Sequence, residues 1–251
     1  MRAEFESQGL RLSAHVARPA AGQALASRPG LIVCHGFPNL ADTGSSDETY
    51  TQLADRIAAE AGWTVLTFSF RGVGRSEGDF SLGGWLADLH AAIEHLGASG
   101  EVDGLWLAGA STGGSLAICA ASEDPSVRGV AALSARADFV DWAGQPRRFL
   151  EHARAVGVVR DAGYPEDIEA WALELKQVRP LAVVAALAPR PLLLVQGAED
   201  DAVPLADVEA LADAHGSAEV RVLSGAGHAL RHDPRAVAVL LGWLEGQAAQ
   251  T

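Results

Sequence analysis

The sequence predicts an α/β protein, a mostly parallel sheet flanked by helices in a single domain. Three observations carry this. Short apolar runs recur along the chain, bounded by Gly, Pro or polar residues. Segments with apolar residues at helical spacing lie between those runs. The two kinds alternate, and strand–helix–strand order implies right-handed crossovers around parallel strands. A length of 251 residues suits one large domain, residues 1–251, able to hold a real core.

Each element has its own signal. Leu10 to Val16 alternates apolar and polar residues, as an antiparallel edge strand does. A loop rich in Ala, Gly and Pro leads to the apolar run Leu31-Ile32-Val33-Cys34. Thr49 to Ala61 reads as a helix through Leu53, Ile57 and Ala61, and Trp63 to Phe68 reads as the next strand. Leu82 to Leu96 is helical through Leu82, Leu86, Leu89, Ile93 and Leu96. Gly104 to Ala108 is a strand, Ser115 to Ala121 a helix, and Val127 to Leu133 a strand. Leu192 to Val195 and Glu219 to Leu223 are further strands, with helices over Leu205 to His215 and Pro234 to Leu244. Apolar runs of this kind suit strands buried on both faces of a parallel sheet. Asp138 to Pro180 breaks the rhythm. It has no strand signal, and it holds Trp142, Phe149, Tyr164 and Trp171 in helical surroundings. An insertion that long often forms a cap over a site, and an ordinary pair of packing helices is the alternative.

Charge and composition exclude several classes. The 19 basic and 32 acidic residues leave a net charge of −13. An acidic surface repels phosphate backbones and anionic lipid heads, so neither nucleic-acid nor membrane-surface binding is expected. No apolar run approaches the ~20 residues of a membrane span, and the first residues lack a signal-peptide pattern. Cys34 and Cys119 lie inside apolar stretches, as reduced core cysteines of a cytoplasmic protein would. Lys176, the one lysine, has no phosphate loop around it. Gly72-Val73-Gly74-Arg75-Ser76-Glu77 lacks the third glycine of a dinucleotide fingerprint. No pair of histidines has the His-Glu-x-x-His spacing of a zinc site, so no metal is expected.

One motif carries chemistry. Gly109-Ala110-Ser111-Thr112-Gly113-Gly114 joins an apolar strand to a helix. A serine on such a turn is held in a strained conformation, with small neighbours that let strand and helix approach. The Thr112 N–H, first in the new helix, faces the same space, where the helix dipole favours negative charge. The bland alternative is a Gly/Ser-rich turn without chemistry.

A serine needs a base. His228 lies in the glycine-flanked loop before the last helix, just beyond a strand, where open α/β sheets build their sites. His232 is its rival. An orienting carboxylate is expected from Glu199-Asp200-Asp201, at the end of another strand. Asp200 is the first choice, then Asp201, then Glu199, and spacing alone does not separate them. In His35-Gly36-Phe37-Pro38, the Phe37 N–H would join that of Thr112 in an oxyanion hole. His35 reads as a brace for that loop.

Together these residues resemble the α/β-hydrolase superfamily over nearly the whole chain. The resemblance rests on His35-Gly36-Phe37, Phe70-Arg71-Gly72-Val73-Gly74-Arg75-Ser76, Gly109 to Gly114, Asp200 followed by Val203-Pro204, and Gly227-His228. The doubled Gly113-Gly114 is similar to the serine esterase and prolyl-oligopeptidase-like branch. The resemblance implies an eight-stranded, mostly parallel sheet, a Ser–His–Asp triad, and no metal or organic cofactor. It favours Asp200 through the family's aspartate, two residues, then Val-Pro. Ser111 stands where haloalkane dehalogenases and epoxide hydrolases carry aspartate and dienelactone hydrolases cysteine, which disfavours those activities.

The function expected is a serine hydrolase cleaving small-molecule carboxylic esters through an acyl-enzyme, as a monomer or homodimer. Trp142, Phe149 and Trp171 of the insertion would line the substrate pocket. A peptidase, amidase or acyltransferase with the same triad, and a non-catalytic ligand receptor on the same fold, are the alternatives.

Overall fold

The computed structural model describes residues 1–39 and 46–249. Eight strands form one sheet in the order β1-β2-β4-β3-β5-β6-β7-β8. They are β1 Arg2–Ser7, β2 Leu10–Ala17, β3 Pro29–Cys34, β4 Thr64–Phe68, β5 Gly104–Ala110, β6 Val127–Leu133, β7 Leu192–Gly197 and β8 Glu219–Leu223. β2 pairs antiparallel with β1 and β4, and β3 through β8 run parallel. The helices are α1 Ser46–Ala61, α2 Leu82–Ala98, α3 Thr112–Glu123, α4 Val140–Gly144, α5 Pro146–Ala155, α6 Ile168–Gln177, α7 Pro180–Val183, α8 Leu205–His215 and α9 Pro234–Ala248. None of the described helices is long and apolar enough to cross a membrane.

The central strands are buried on both faces because both faces are covered. Leu31, Val33, Val65, Leu193 and Val195 pack with α1 and α9 through Ile57, Ala58, Val237 and Leu240. Their neighbours Ile32, Cys34, Leu66 and Leu194 point the other way, onto Leu89 of α2, Leu116 of α3 and Leu211 of α8. Each such aliphatic side chain stabilises the fold by about 1.5–3 kcal/mol when fully buried.

Two expectations are corrected. Leu10 to Val16 is not an edge strand, because β1 pairs outside it. β1 is nearly silent in hydropathy: Phe5 is its one large core residue, and acidic Glu4 and Glu6 flank it. Glu219 to Leu223 is not buried on both faces. β8 is the opposite edge, and Val222 is exposed.

The insertion between β6 and β7 is helical, as its pattern predicts, and it is bound firmly to the body. The Arg160 guanidinium donates to the carbonyls of Gly72 at 2.7 Å, Gly74 at 2.9 Å and Ser76 at 3.2 Å. The Trp171 indole N–H donates to the Phe80 carbonyl, and Glu174 accepts from the Gly83 N–H in the first turn of α2. That carboxylate satisfies an N–H with no acceptor inside its helix.

Candidate active site

The ends of β3, β5, β7 and β8 converge at the carboxyl edge of the sheet. Between β5 and α3 the chain turns at Ser111, with φ 50° and ψ −123°. This region is costly for any residue with a Cβ and recurs at functional sites. The turn is held from both sides. A Cβ on Gly109 would meet the Gly114 nitrogen at 2.6 Å, and one on Gly113 would meet the Cys34 carbonyl oxygen at 2.8 Å. Only glycine allows strand, helix and the β3 loop to approach this closely. The Ser111 N–H donates to the Leu133 carbonyl at 2.7 Å, which ties the turn to β6.

His228 and Asp200 meet as a pair. His228 Nδ1 lies 2.9 Å from Asp200 Oδ2 and 3.1 Å from Oδ1. A carboxylate facing Nδ1 assigns the ring proton there and leaves Nε2 as the acceptor nitrogen. The Asp200 side chain has no exposure, while that of His228 is 31% exposed. Burial alone would push the Asp200 carboxyl up. Donation from the Val203 N–H and the contact with His228 outweigh it and hold the carboxyl below its ordinary value. The Ala202 and Val203 N–H groups both reach Oδ1 at 2.9 Å, and the Gln196 amide reaches Oδ2 at 3.1 Å. Glu199 and Asp201 are exposed on the same turn and do not touch His228, and His232 is exposed in the following 3-10 turn.

Ser111 and His228 line the same cavity of about 40 Å³, with Gly36, Phe37, Tyr50 and Leu230. Among the described residues no hydrogen bond joins the Ser111 hydroxyl to His228 in this conformation. Thr112 is the first residue of α3, so its N–H lacks an intrahelical acceptor. His35 braces the facing loop: its Nε2 accepts the Phe70 N–H at 3.1 Å, and its Nδ1 lies 2.8 Å from the Gly36 carbonyl oxygen. With Nε2 occupied in this way, His35 is not placed to act as a base.

The Phe37 ring reaches the insertion. Its centroid lies 5.3 Å from Trp142, 5.2 Å from Phe149 and 5.8 Å from His152. Trp142 and Phe149 stack at 4.1 Å and line a second cavity of about 250 Å³, together with Asp141, Gln145, Arg148 and His152. Trp171 lines none of the described cavities. It is buried behind Phe149, where its indole serves the Phe80 carbonyl. Larger cavities, of about 580 Å³ between α5 and α6 and 420 Å³ beside β2, contain neither Ser111 nor His228. No group of His, Cys, Asp and Glu among the described residues could hold a metal ion.

Two further polar residues at the site carry no motif in the sequence. Gln196 is fully buried in β7, and Ser134, just beyond β6, is buried with φ 50°. A glutamine directly after the apolar run Leu192 to Val195 is the signal that could reveal Gln196. Nothing in the sequence marks Ser134.

A parallel sheet covered by helices on both faces, with a strained serine between its fifth strand and the next helix, defines the α/β-hydrolase architecture. The chain belongs to the alpha/beta hydrolase family, whose model matches residues 31–240. The fold is similar to Est1E from Butyrivibrio proteoclasticus with ferulic acid bound, at 21% identity and TM-score 0.76, covering 99% of this chain and 98% of that one. It is also similar to the α/β hydrolase GrgF from Penicillium sp. sh18, at 20% identity and TM-score 0.72, covering 99% of both chains. The esterase domain of a Rhodothermus marinus protein matches at 26% identity and TM-score 0.70, over 100% of this chain and 98% of that domain. No curated protein matches the sequence.

Proposed function

We propose that this chain is a serine hydrolase that cleaves carboxylic esters. Ser111 attacks the acyl carbon while His228 takes its proton. The Phe37 and Thr112 N–H groups hold the oxyanion. The tetrahedral intermediate expels the alcohol, which leaves with the proton from His228, and an acyl-enzyme remains on Ser111. Water then attacks the acyl carbon, again through His228, releasing the acid and restoring the serine. Asp200 keeps the imidazole oriented and stabilises its charged form.

The observation that carries this reading is the shared cavity of Ser111, on its strained turn, and His228, whose Nδ1 is held by buried Asp200. Esters are preferred over amides because an alcohol is the better leaving group. The Rhodothermus marinus domain is named as an esterase domain, and Est1E is seen with ferulic acid bound. Trp142 and Phe149 form an aromatic wall that suits a flat or apolar acyl group.

Labelling with a fluorophosphonate probe and mapping the modified peptide tests the proposal. Modification at Ser111, absent in Ser111→Ala and slowed at least a hundredfold in His228→Ala, is the expected result. Labelling elsewhere, or none, rejects it. Hydrolysis of a nitrophenyl ester but not the matching anilide separates esterase from amidase.

A further inference from the structure

Asp200 is surrounded by donors from its own turn, by the His228 ring N–H, and by the Gln196 side chain of β7. The orientation of that amide is unambiguous. Its Nε2 faces two acceptors, Asp200 Oδ2 at 3.1 Å and the Val203 carbonyl at 2.9 Å, so the nitrogen must point there. The arrangement leaves Gln196 Oε1 buried with no partner. Beside it, Ser134 Oγ is also buried with no hydrogen-bond partner, on a backbone at φ 50°. The two residues are neighbours across strands, since Leu133 pairs with Val195 and the Ser134 N–H donates to the Val195 carbonyl at 2.8 Å. Burying an unpaired polar atom is costly, and so is a strained φ. A leucine and a glycine here would satisfy the fold without either cost. The feature these groups share is the Asp200 carboxylate: the Gln196 amide bonds it directly, and Ser134 is among the groups that hold it below its ordinary value.

We propose that Gln196, with Ser134 behind it, is a positioning residue that fixes the Asp200 carboxylate in the orientation that serves His228. The inference rests on the Ser–His–Asp reading above. The Gln196 amide ties Oδ2, the oxygen nearer Nδ1, to the Val203 carbonyl, so side chain and turn move as one body. It also spreads the charge of the carboxylate over a neutral donor. His228 is the titratable side chain in contact with Asp200, and Glu199 and Asp201 flank it, exposed, on its own turn.

The test is steady-state kinetics on a nitrophenyl ester across pH, with Gln196→Met and Ser134→Gly. Glycine tolerates the positive φ at residue 134, so that variant removes the hydroxyl alone. For Gln196→Met we expect kcat to fall about tenfold, KM to stay within twofold, and the acid limb of kcat/KM to move up by about half a unit. Ser134→Gly should show a smaller fall, about threefold, in the same direction. A purely structural role would lower melting temperature and leave the acid limb unmoved. Unchanged kcat and acid limb in folded Gln196→Met overturns the proposal. Should that variant fail to fold, the isosteric Gln196→Glu is read instead. It sets a carboxylate against Asp200, a loss of at least tenfold in kcat at neutral pH is expected, and a value within twofold of the parent overturns the proposal. Fluorophosphonate labelling of the parent protein separates the two readings. If Ser111 does not label, both fall, whereas normal labelling with unaltered Gln196 variants removes only this one.

Discussion

The backbone at Ser111 makes a prediction in which stability and activity part company. Its φ of 50° with ψ of −123° lies where residues with a Cβ cost about 1–3 kcal/mol. Serine and alanine both carry that cost, and glycine does not. Glycine instead loses about 0.5–1 kcal/mol through the greater freedom of its unfolded chain. Space offers no counter-argument, because the Ser111 Cβ already stands close to Gly36: a Cβ added there would meet it at 3.0 Å. The net expectation is that Ser111→Gly is more stable than Ser111→Ala by roughly 1 kcal/mol, although both variants lack the proposed nucleophile. For a chain of this size that corresponds to a melting temperature about 2–4 °C higher. Scanning calorimetry of the two variants, with urea unfolding as a second measure, reads the difference directly. A glycine variant that melts at or below the alanine variant would show that the turn is relaxed, and the strained-nucleophile argument would go with it.

Further predictions address the acid, the pH response and the insertion. Asp200→Asn should leave the fold intact while lowering kcat on a nitrophenyl ester by about 10³–10⁴, through loss of the charge that orients and stabilises the imidazolium. Because the Asp200 carboxyl titrates below its ordinary value, its ionised form stabilises the native state above about pH 4, and that contribution disappears as pH falls through the lowered value. The parent should therefore lose more stability than Asp200→Asn in urea titrations between pH 6 and about pH 3. Arg160→Ala removes three guanidinium bonds to the loop of Gly72, Gly74 and Ser76. It should lower the melting temperature by several degrees and speed hydrogen exchange at the Phe80 amide, which donates to Val158 of the insertion. Unaltered exchange there would mean the insertion is held by its aromatic packing and its other hydrogen bonds, without the Arg160 guanidinium.

Which features were legible follows from what each residue needs. Strands β3 to β7 could be read from apolar runs because both their faces are covered, so almost every side chain must be apolar. β1 has one large core side chain, and no hydropathy pattern can arise from Phe5 alone. The alternating pattern of Leu10 to Val16 therefore looks like the edge although another strand covers it. Helix α1 begins at Ser46, ahead of the Thr49 start read from its apolar residues, because the opening Ser-Asp-Glu carries no apolar marker. At the site, Ser111 was legible because the close approach of strand, helix and loop demands Gly109 and Gly113 around it. The pairing of His228 with Asp200, and not with Glu199 or Asp201, rested on resemblance and is a contact in the folded chain. Gln196 and Ser134 acquire their neighbours through the β6–β7 register, which is a property of the assembled sheet.

That register also explains how the sheet tolerates strain at its edge. Ser111 and Ser134 each stand one residue beyond a strand, each at φ 50°. Each still donates its N–H to the next strand over: Ser111 to Leu133 at the end of β6, and Ser134 to Val195 near the end of β7. One residue further along β7 is Gln196, whose amide grips Asp200, and Asp200 holds His228. The two unfavourable backbones are thus clamped by ladder bonds from a core that is buried on both faces and does not yield locally. A hairpin or an exposed loop carrying the same residues would relax instead. The parallel arrangement matters for a second reason: β5, β6 and β7 all end at the same edge, so Ser111, the buried Ser134 hydroxyl and the Asp200 carboxylate arrive together beyond successive strands. The sheet's direction brings the groups to one place, and its register decides which of them touch.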